Sequence, residues 1–198
     1  MKKLLCLCAL MAFAAAPAGA SVTFDDLSGS MANIPNGYAG LNWSNFCSLD
    51  GTSMSSTSGY HNGIISPNNV AFNGGGTPAE FSGTSFDLGG MYMTAAWSAG
   101  LNVDIEGYRD GSLVYSQTVV VDTTSPTWLV LNYLDVDRVR FVSYGGTDYA
   151  QDGGDGAHFA IDNVSFEAVA PTVPAPAALV LGSLGTGLVG WLRRRSTL

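Results

Sequence analysis

Carboxylate and amide side chains stand close to both ends of the central part of this 198-residue sequence. Asp25 and Asp26 follow the first strand-like residues, SVTF. Asp162 and Asn163 lie in the last strand-like stretch, FAIDNVSF. Oxygen atoms of this kind are the ligands that Ca²⁺ prefers in proteins. If the first and last strands of the domain are neighbours, the sequence predicts a structural calcium site there; ordinary turn formation by aspartate is the alternative.

Two aromatic residues, Tyr38 and Trp43, lie among asparagines and glycines in a stretch without strand periodicity, IPNGYAGLNWSNF. Aromatic rings pack on the apolar faces of sugars, and rings beside polar groups are typical of ligand sites. We predict a structural loop folded over the sheet, with a sugar-binding site formed by Tyr38 and Trp43 as the alternative. Trp97 and Trp128 lie in apolar, strand-like runs and are predicted to be core residues.

Residues that could act as catalytic acids, bases or nucleophiles are scarce. The sequence has two histidines, His61 and His158, and contains neither a Gly-x-Ser-x-Gly nor a His-Glu-x-x-His motif. A glycosidase would need a suitably spaced pair of carboxylates. Since sixteen acidic residues make some pair inevitable, the presence of such a pair is no evidence for a glycosidase. We therefore predict that the protein is not an enzyme.

Charge is distributed unevenly along the sequence, whose formal net charge is -8. All sixteen acidic residues lie between Asp25 and Glu167, where the only basic residues are Arg109, Arg138 and Arg140. A surface this acidic repels the phosphate groups of nucleic acids. The composition therefore argues against a nucleic-acid partner.

Short stretches of alternating hydrophobicity must position these residues, and they predict an all-β domain over residues 21–168. In the stretch LNVDIEGY, apolar and polar residues alternate as in a half-buried strand. The pair Asp110-Gly111 that follows predicts a tight type I′ hairpin. The density of short strands favours a jelly-roll-like β-sandwich, in which residues 29–83 form long loops and short strands.

The N-terminus has the features of a secretory signal peptide, residues 1–20. Two lysines precede a short apolar segment, and Ala18 and Ala20 form the small-x-small pattern that places cleavage before Ser21. Removal of this segment leaves one cysteine, Cys47, so the exported chain has no intramolecular disulfide. We predict a small buried side chain at this position, with an intermolecular disulfide as the alternative.

The C-terminus combines a linker with an apolar segment and a basic tail. Residues 169–176 are rich in proline and alanine, which is typical of an extended linker. Residues 177–198 begin with sixteen uncharged residues, which predict a short transmembrane helix about 24 Å long at about 1.5 Å per residue. Arg193, Arg194 and Arg195 would keep its end in the cytoplasm.

A short motif, an apolar helix and a basic cluster thus follow one another: Val173, Pro174, Ala175 and Pro176, then residues 177–192, then Arg193, Arg194 and Arg195. This arrangement resembles a PEP-CTERM sorting signal, although Ala175 stands where the usual motif has glutamate. The resemblance implies processing by signal peptidase and by an exosortase in the inner membrane of a Gram-negative bacterium. Display at the cell surface, or an extracellular location, would follow.

The two acidic segments carry a second resemblance. FDDL near the start and IDNV near the end resemble the corresponding segments of carbohydrate-binding-module-like jelly-roll sandwiches, in which such acids hold a structural calcium ion. The resemblance to PEP-CTERM proteins implies a secreted or surface-displayed protein with a structural or adhesive role in extracellular matrix or biofilm. A carbohydrate-binding module with a polysaccharide partner is the alternative, and a hydrolase is the second alternative.

Overall fold

A computed structural model describes residues 20–148 and 153–168, and in these ranges the chain is predominantly antiparallel β-structure. The single α-helical turn in this part of the chain, α1, spans Gly59–Asn62. The strands are β1 (Ala20–Val22), β2 (Ala32–Asn33), β3 (Asn42–Ser44), β4 (Phe46–Asp50), β5 (Asn69–Asn73), β6 (Ala79–Ala95), β7 (Ser98–Arg109), β8 (Ser112–Val121), β9 (Thr127–Asp148) and β10 (Phe159–Ala168). The predicted all-β class is confirmed.

The two longest strands, β6 and β9, change direction part-way along their length. Residues 79–82 of β6 pair with residues 138–141 of β9, and after a register shift residues 86–93 pair with residues 127–136. On β9 the irregularity contains Asn132 and Asp135, whose φ angles of 52° and 54° lie in the left-handed region. Such bulges bend a strand sharply, so both strands pass from one layer of the fold into the other.

Two layers of sheet face each other as a β-sandwich. The first layer contains β2, β4, β5, β10, β1 and the paired parts of β6 and β9 around Tyr92; the second contains β3, the other parts of β6 and β9, β7 and β8. Rings from non-adjacent strands meet between them: Phe46 lies 5.6 Å from Phe141, and Tyr133 stacks on Tyr115 at 4.8 Å.

The core between the layers is built by alternation along the strands. Leu101, Val103 and Ile105 are fully buried while the residues between them are partly exposed, as the sequence predicts. The largest fully buried side chains of this core are aromatic: Phe24, Phe46, Phe81, Phe86, Phe141 and Phe159. Burial of such rings supplies most of the favourable free energy of folding.

A second, smaller cluster covers part of the outer surface of the first layer. Tyr60 of α1 packs on Phe72 and Trp97, each at 5.1 Å between ring centroids. Gly59 allows this approach, because a Cβ atom there would stand 1.7 Å from the carbonyl oxygen of Ala95. The predicted burial of Trp97 is confirmed.

Several local predictions also agree with the structure. Asp110 and Gly111 both have positive φ angles, 50° and 76°, at the tight turn between β7 and β8. The first and last strands are neighbours, with Ser21 opposite Ser165. Cys47 differs from its prediction as a buried side chain, because it is only partly buried, with its Sγ 3.1 Å from Oδ1 of Asn33.

The predicted targeting segments fall almost entirely outside the described residues. Residues 1–19 of the predicted signal peptide, which include Ala18, lie outside them. The predicted linker, sorting motif, apolar helix and arginine cluster, residues 169–198, also lie outside them. Ala20 is described, as the first residue of β1. Within the described ranges, no helix has the length and apolar character needed to cross a membrane.

Candidate functional site

Asp162, a predicted calcium ligand, is fully buried in β10. Its Oδ2 accepts hydrogen bonds from the backbone N–H groups of Ile65 and Ser66, at 2.8 and 2.9 Å. Its Oδ1 accepts from the backbone N–H of Asn163 at 2.7 Å and from the Ser66 hydroxyl at 3.0 Å. Burial raises the pKa of Asp162, and these donors oppose that shift. The carboxylate therefore holds the loop before β5 against β10.

Asp25 and Asp26, two of the other predicted calcium ligands, also accept hydrogen bonds from nearby groups. Asp25 Oδ1 accepts from the backbone N–H of Asn69 at 3.1 Å, and Asp26 Oδ1 accepts from the Tyr38 hydroxyl at 2.6 Å. The buried Oδ1 of Asn163 has no hydrogen-bond partner. Within residues 20–148 and 153–168, no group of three or more His, Cys, Asp or Glu side chains is placed to hold a metal ion. The calcium prediction therefore has no ligand cluster to support it.

Trp43, one of the two candidate sugar contacts, is a core residue. It is 6 % exposed, and its ring lies within 6 Å of those of Phe24, Phe46 and Phe81. Its Nε1–H donates to the carbonyl oxygen of Tyr38 at 3.0 Å. A ring packed in this way offers no free face to a sugar, and its burial agrees with the predicted loop folded over the sheet.

The outer surface of the second layer is an open sheet of mainly polar side chains, with Val120 and Val142 as apolar residues on the same side. The register aligns one residue from each of five strands in a row: Ser44, Glu80, Arg140, Glu106 and Ser116. Directly opposite residues in antiparallel strands project to the same face. We call this surface the polar face and define it by Glu80, Asp104, Glu106, Tyr108, Arg138, Arg140 and Tyr144.

Ion pairs and hydrogen bonds fix the side chains at the centre of the polar face. Arg140 Nη1 lies 3.1 Å from Glu106 Oε2, which also accepts from the Tyr108 hydroxyl at 2.8 Å. The guanidinium carbon of Arg138 lies 4.0 Å from the centre of the Tyr108 ring, and its Nη1 lies 3.7 Å from Glu80 Oε2. The bond to Glu106 raises the pKa of Tyr108. These contacts restrict the rotamers of groups that remain partly exposed.

The polar face continues toward the end of β9. Asp104 Oδ1 accepts from the Thr118 hydroxyl at 2.6 Å and from the Tyr144 hydroxyl at 3.3 Å. Tyr144 is 46 % exposed. With five strands about 4.8 Å apart, the face is about 19 Å wide. It can therefore present an extended array of hydrogen-bond donors and acceptors, with one exposed ring, to a long ligand.

Trp128, predicted to be a core residue, is placed differently by the structure. It is 42 % exposed, on the outer surface of the first layer, because the inward positions of β9 are taken by Leu129 and Leu131. Its ring packs against Tyr92 at 5.0 Å and lies close to Gly90, where a Cβ atom would stand 2.9 Å from Cζ2 of Trp128. The two rings form a second exposed feature, remote from the polar face.

The residues of the polar face carry a signal that the sequence prediction did not use. Arg138 and Arg140 alternate with apolar residues, and so do Asp104 and Glu106. Alternation places each pair on the outside of its own strand. It does not reveal that the two strands are neighbours, with Glu106 opposite Arg140.

No known protein family and no curated protein matches the sequence. Solved structures that resemble the fold include a DUF4465 family protein from Bacteroides caccae, at 12% identity over 76% of this chain and 93% of that chain, with a TM-score of 0.49. A second DUF4465 protein, from Bacteroides ovatus, has 10% identity over 77% and 95% of the two chains and a TM-score of 0.43. The carbohydrate-binding module CBM51 of a Clostridium perfringens protein, solved with methyl-galactose, has 11% identity over 75% and 100% and a TM-score of 0.35.

Proposed function

We propose that the domain binds a neutral polysaccharide along the polar face. The observation that carries the proposal is the row of side chains across five strands, with Arg140, Glu106 and Tyr108 fixed to one another at its centre. Sugar hydroxyls both donate and accept hydrogen bonds, so a ligand rich in them suits a surface that alternates guanidinium and carboxylate groups. The exposed ring of Tyr144 offers an apolar face for stacking.

Preorganisation supports this proposal. A ligand that binds flexible side chains must also offset their loss of rotamer freedom, about 0.5–1.5 kcal/mol for each one. On the polar face, Arg138 is already held over Tyr108 and Arg140 already paired with Glu106. Ligand binding therefore restricts few side-chain rotamers that are not already restricted in the free protein.

The charge of the protein indicates the class of polysaccharide. The two arginines of the polar face are accompanied by Glu80, Glu106 and Asp104, so the face has no excess of positive charge. The rest of the chain between residues 21 and 168 is strongly acidic. Anionic polymers would be repelled, which leaves neutral glycans as the favoured ligands.

The decisive experiment compares two arginine variants of equal charge. Arg140→Gln removes a group at the centre of the polar face, whereas Arg109→Gln removes one whose side chain turns away to Asp135. We expect a glycan array to identify a neutral ligand, and titration calorimetry to show roughly 10–150-fold weaker binding for Arg140→Gln, since a hydrogen bond to a charged group contributes about 1.5–3 kcal/mol. Arg109→Gln should bind as wild type does.

Three outcomes would contradict the proposal: wild type binds no neutral glycan; the two arginine variants bind equally well; or Trp128→Ala abolishes binding while Arg140→Gln retains it. We further propose that binding occurs without turnover, in line with the absence of recognised catalytic motifs in the sequence. If wild type releases shortened sugars from the polysaccharide and replacement of one carboxylate abolishes that release, the protein is instead a hydrolase.

Surface display is a second proposal, which the sequence of residues 173–198 supports through its motif, apolar segment and three arginines. In the proposed role, an exosortase removes the tail and the domain acts as an adhesive or structural component of extracellular matrix. Mass spectrometry of the exported protein should then find a C-terminus close to Pro176. A mature protein that still ends at Leu198 would contradict this processing.

A further inference from the structure

One end of the polar face differs in its chemistry from the centre. Asn102 of β7 lies opposite Tyr144 of β9 on one side and opposite Val120 of β8 on the other. Residues that lie opposite each other in antiparallel strands project to the same side of the sheet. Val120 and Tyr144 are 64 % and 46 % exposed, so two apolar side chains flank one amide. We call this row of three residues the cradle.

The cradle has the size and the chemistry to receive one sugar ring. Its two flanking strands are two strand spacings apart, about 10 Å. The amide of Asn102 lies between them and close to Gly145, where a Cβ atom would stand 3.2 Å from Nδ2 of Asn102. The Tyr144 hydroxyl donates to Oδ1 of Asp104 at 3.3 Å, which restricts the orientation of the aromatic ring. A pyranose carries hydroxyls at its edge and C–H groups on its faces, so an amide between two apolar side chains suits it.

A ring for stacking is available along the strands of the polar face and not across them. The row through the centre of the face ends in Ser44 and Ser116, which carry no ring. The ring of Tyr108 is covered by the guanidinium group of Arg138, at 4.0 Å. A glycan that both stacks on a ring and hydrogen-bonds to the charged centre must therefore extend along β7 and β9 toward Tyr144.

Asn102 and Glu106, both on β7, mark the distance between the cradle and the charged centre. They are four residues apart, which is about 13 Å at about 3.3 Å per residue. The side chain of Arg140 extends across the strands to Glu106 and not along β9 toward the cradle. A disaccharide is shorter than this distance. A chain of three sugar units is therefore the shortest that reaches both places.

We propose that the polar face has two subsites for one glycan chain, the cradle and the pair formed by Arg140 and Glu106. This inference rests on the proposed function and adds the orientation and minimum length of the ligand: a linear chain of at least three sugar units that runs along β7 and β9. Once one subsite is filled, the second contact is intramolecular and costs little further loss of freedom. Affinity should therefore rise with chain length until both subsites are filled.

Linear neutral oligosaccharides of glucose, galactose, mannose or xylose, from two to six units long, test this arrangement. With the full chain in a mild detergent, we expect titration calorimetry to show roughly tenfold tighter binding of the tetrasaccharide than of the disaccharide, as for about 1.4 kcal/mol of added contact. Longer chains should bind about as tightly as the tetrasaccharide. A disaccharide reaches only one subsite, so only one of Arg140→Gln and Tyr144→Leu should weaken its binding.

Two variants of Tyr144 separate stacking from a structural role. Tyr144→Phe retains the flat ring and Tyr144→Leu does not, and neither should change the melting temperature, because the side chain is exposed. For the tetrasaccharide, we expect Tyr144→Leu to weaken binding roughly tenfold and Tyr144→Phe to bind nearly as wild type does. Equal losses for the two variants would overturn the stacking role of the cradle.

Failure of this inference is distinguishable from failure of the proposed function. If wild type binds none of these oligosaccharides, both are wrong. If Arg140→Gln weakens binding but the disaccharide binds as tightly as the tetrasaccharide, the polar face remains the site and the two subsites are overturned. Undiminished binding of the tetrasaccharide by Tyr144→Leu would overturn them as well.

Discussion

Replacing Trp43 by alanine is expected to lower the free energy of unfolding by about 3–5 kcal/mol, the range found for large aromatic residues removed from cores. The indole is packed by Phe24, Phe46 and Phe81, and its N–H is bonded to the Tyr38 carbonyl. The substitution leaves a cavity between β3 and the rings of the core. Urea unfolding followed by fluorescence or circular dichroism measures the change.

Trp128→Ala is the matched control for this prediction. The same number of atoms is removed, but the side chain is 42 % exposed and lies on the outer surface. We expect a loss of about 1 kcal/mol or less, as for most substitutions outside the core. Equal losses for the two variants would show that the burial of Trp43 has been misjudged, and a small loss for Trp43→Ala would return that residue to the list of ligand contacts.

Replacing Asp162 by alanine is expected to destabilise the protein by roughly 1–3 kcal/mol, because the part-buried N–H groups of Ile65 and Ser66 lose their acceptor. Asp162→Asn retains one oxygen acceptor, so its loss should be smaller. Denaturant unfolding at neutral pH measures both. Similar values for the two variants would contradict the assigned role of the carboxylate.

The pH dependence of the free energy of unfolding, compared between wild type and Asp162→Asn, gives a second test of the role of Asp162. The pKa of Asp162 is higher in the folded protein than in the unfolded chain, since burial outweighs the donors around it. A raised carboxyl pKa means that the folded state binds the proton more tightly. Wild type should therefore lose stability relative to Asp162→Asn as the pH rises from the unfolded pKa, about 3.9, through the folded pKa. A relative gain would mean that the hydrogen bonds outweigh burial.

The sequence predicts local structure in this protein better than it predicts strand length. The alternation around Val103 and the turn at Asp110-Gly111 require only neighbouring residues, and both are found. The stretches TWLVLNY and RVRFVSY appear as two strands but form one, β9, since Asn132 and Asp135 adopt left-handed conformations that bend the strand without ending it. Only contacts with the rest of the sheet decide between a bulge and a turn at such positions.

In the candidate sites, too, the sequence predicts local features better than features that depend on contacts between distant segments. Asp25 and Asp162 both contact the segment 65–69, but their partners are N–H groups of a loop that has no periodicity to predict it. The exposure of Trp128 depends on which side of β9 faces the core, and an apolar run gives no indication of side. The polar face depends on the pairing of β7 with β9, which are separated by β8 in sequence.

The position of β10 has a consequence for how the domain would respond to mechanical force. β10 ends at Ala168, is paired at eight positions with β6, and is flanked on its other side by β1 and β5. Hydrogen bonds in antiparallel sheets run perpendicular to the strands. A pull applied beyond Ala168 along the strand axis therefore loads these bonds in shear, so that they rupture together and not one after another. A tether at this end would make the domain resist extension strongly before it yields.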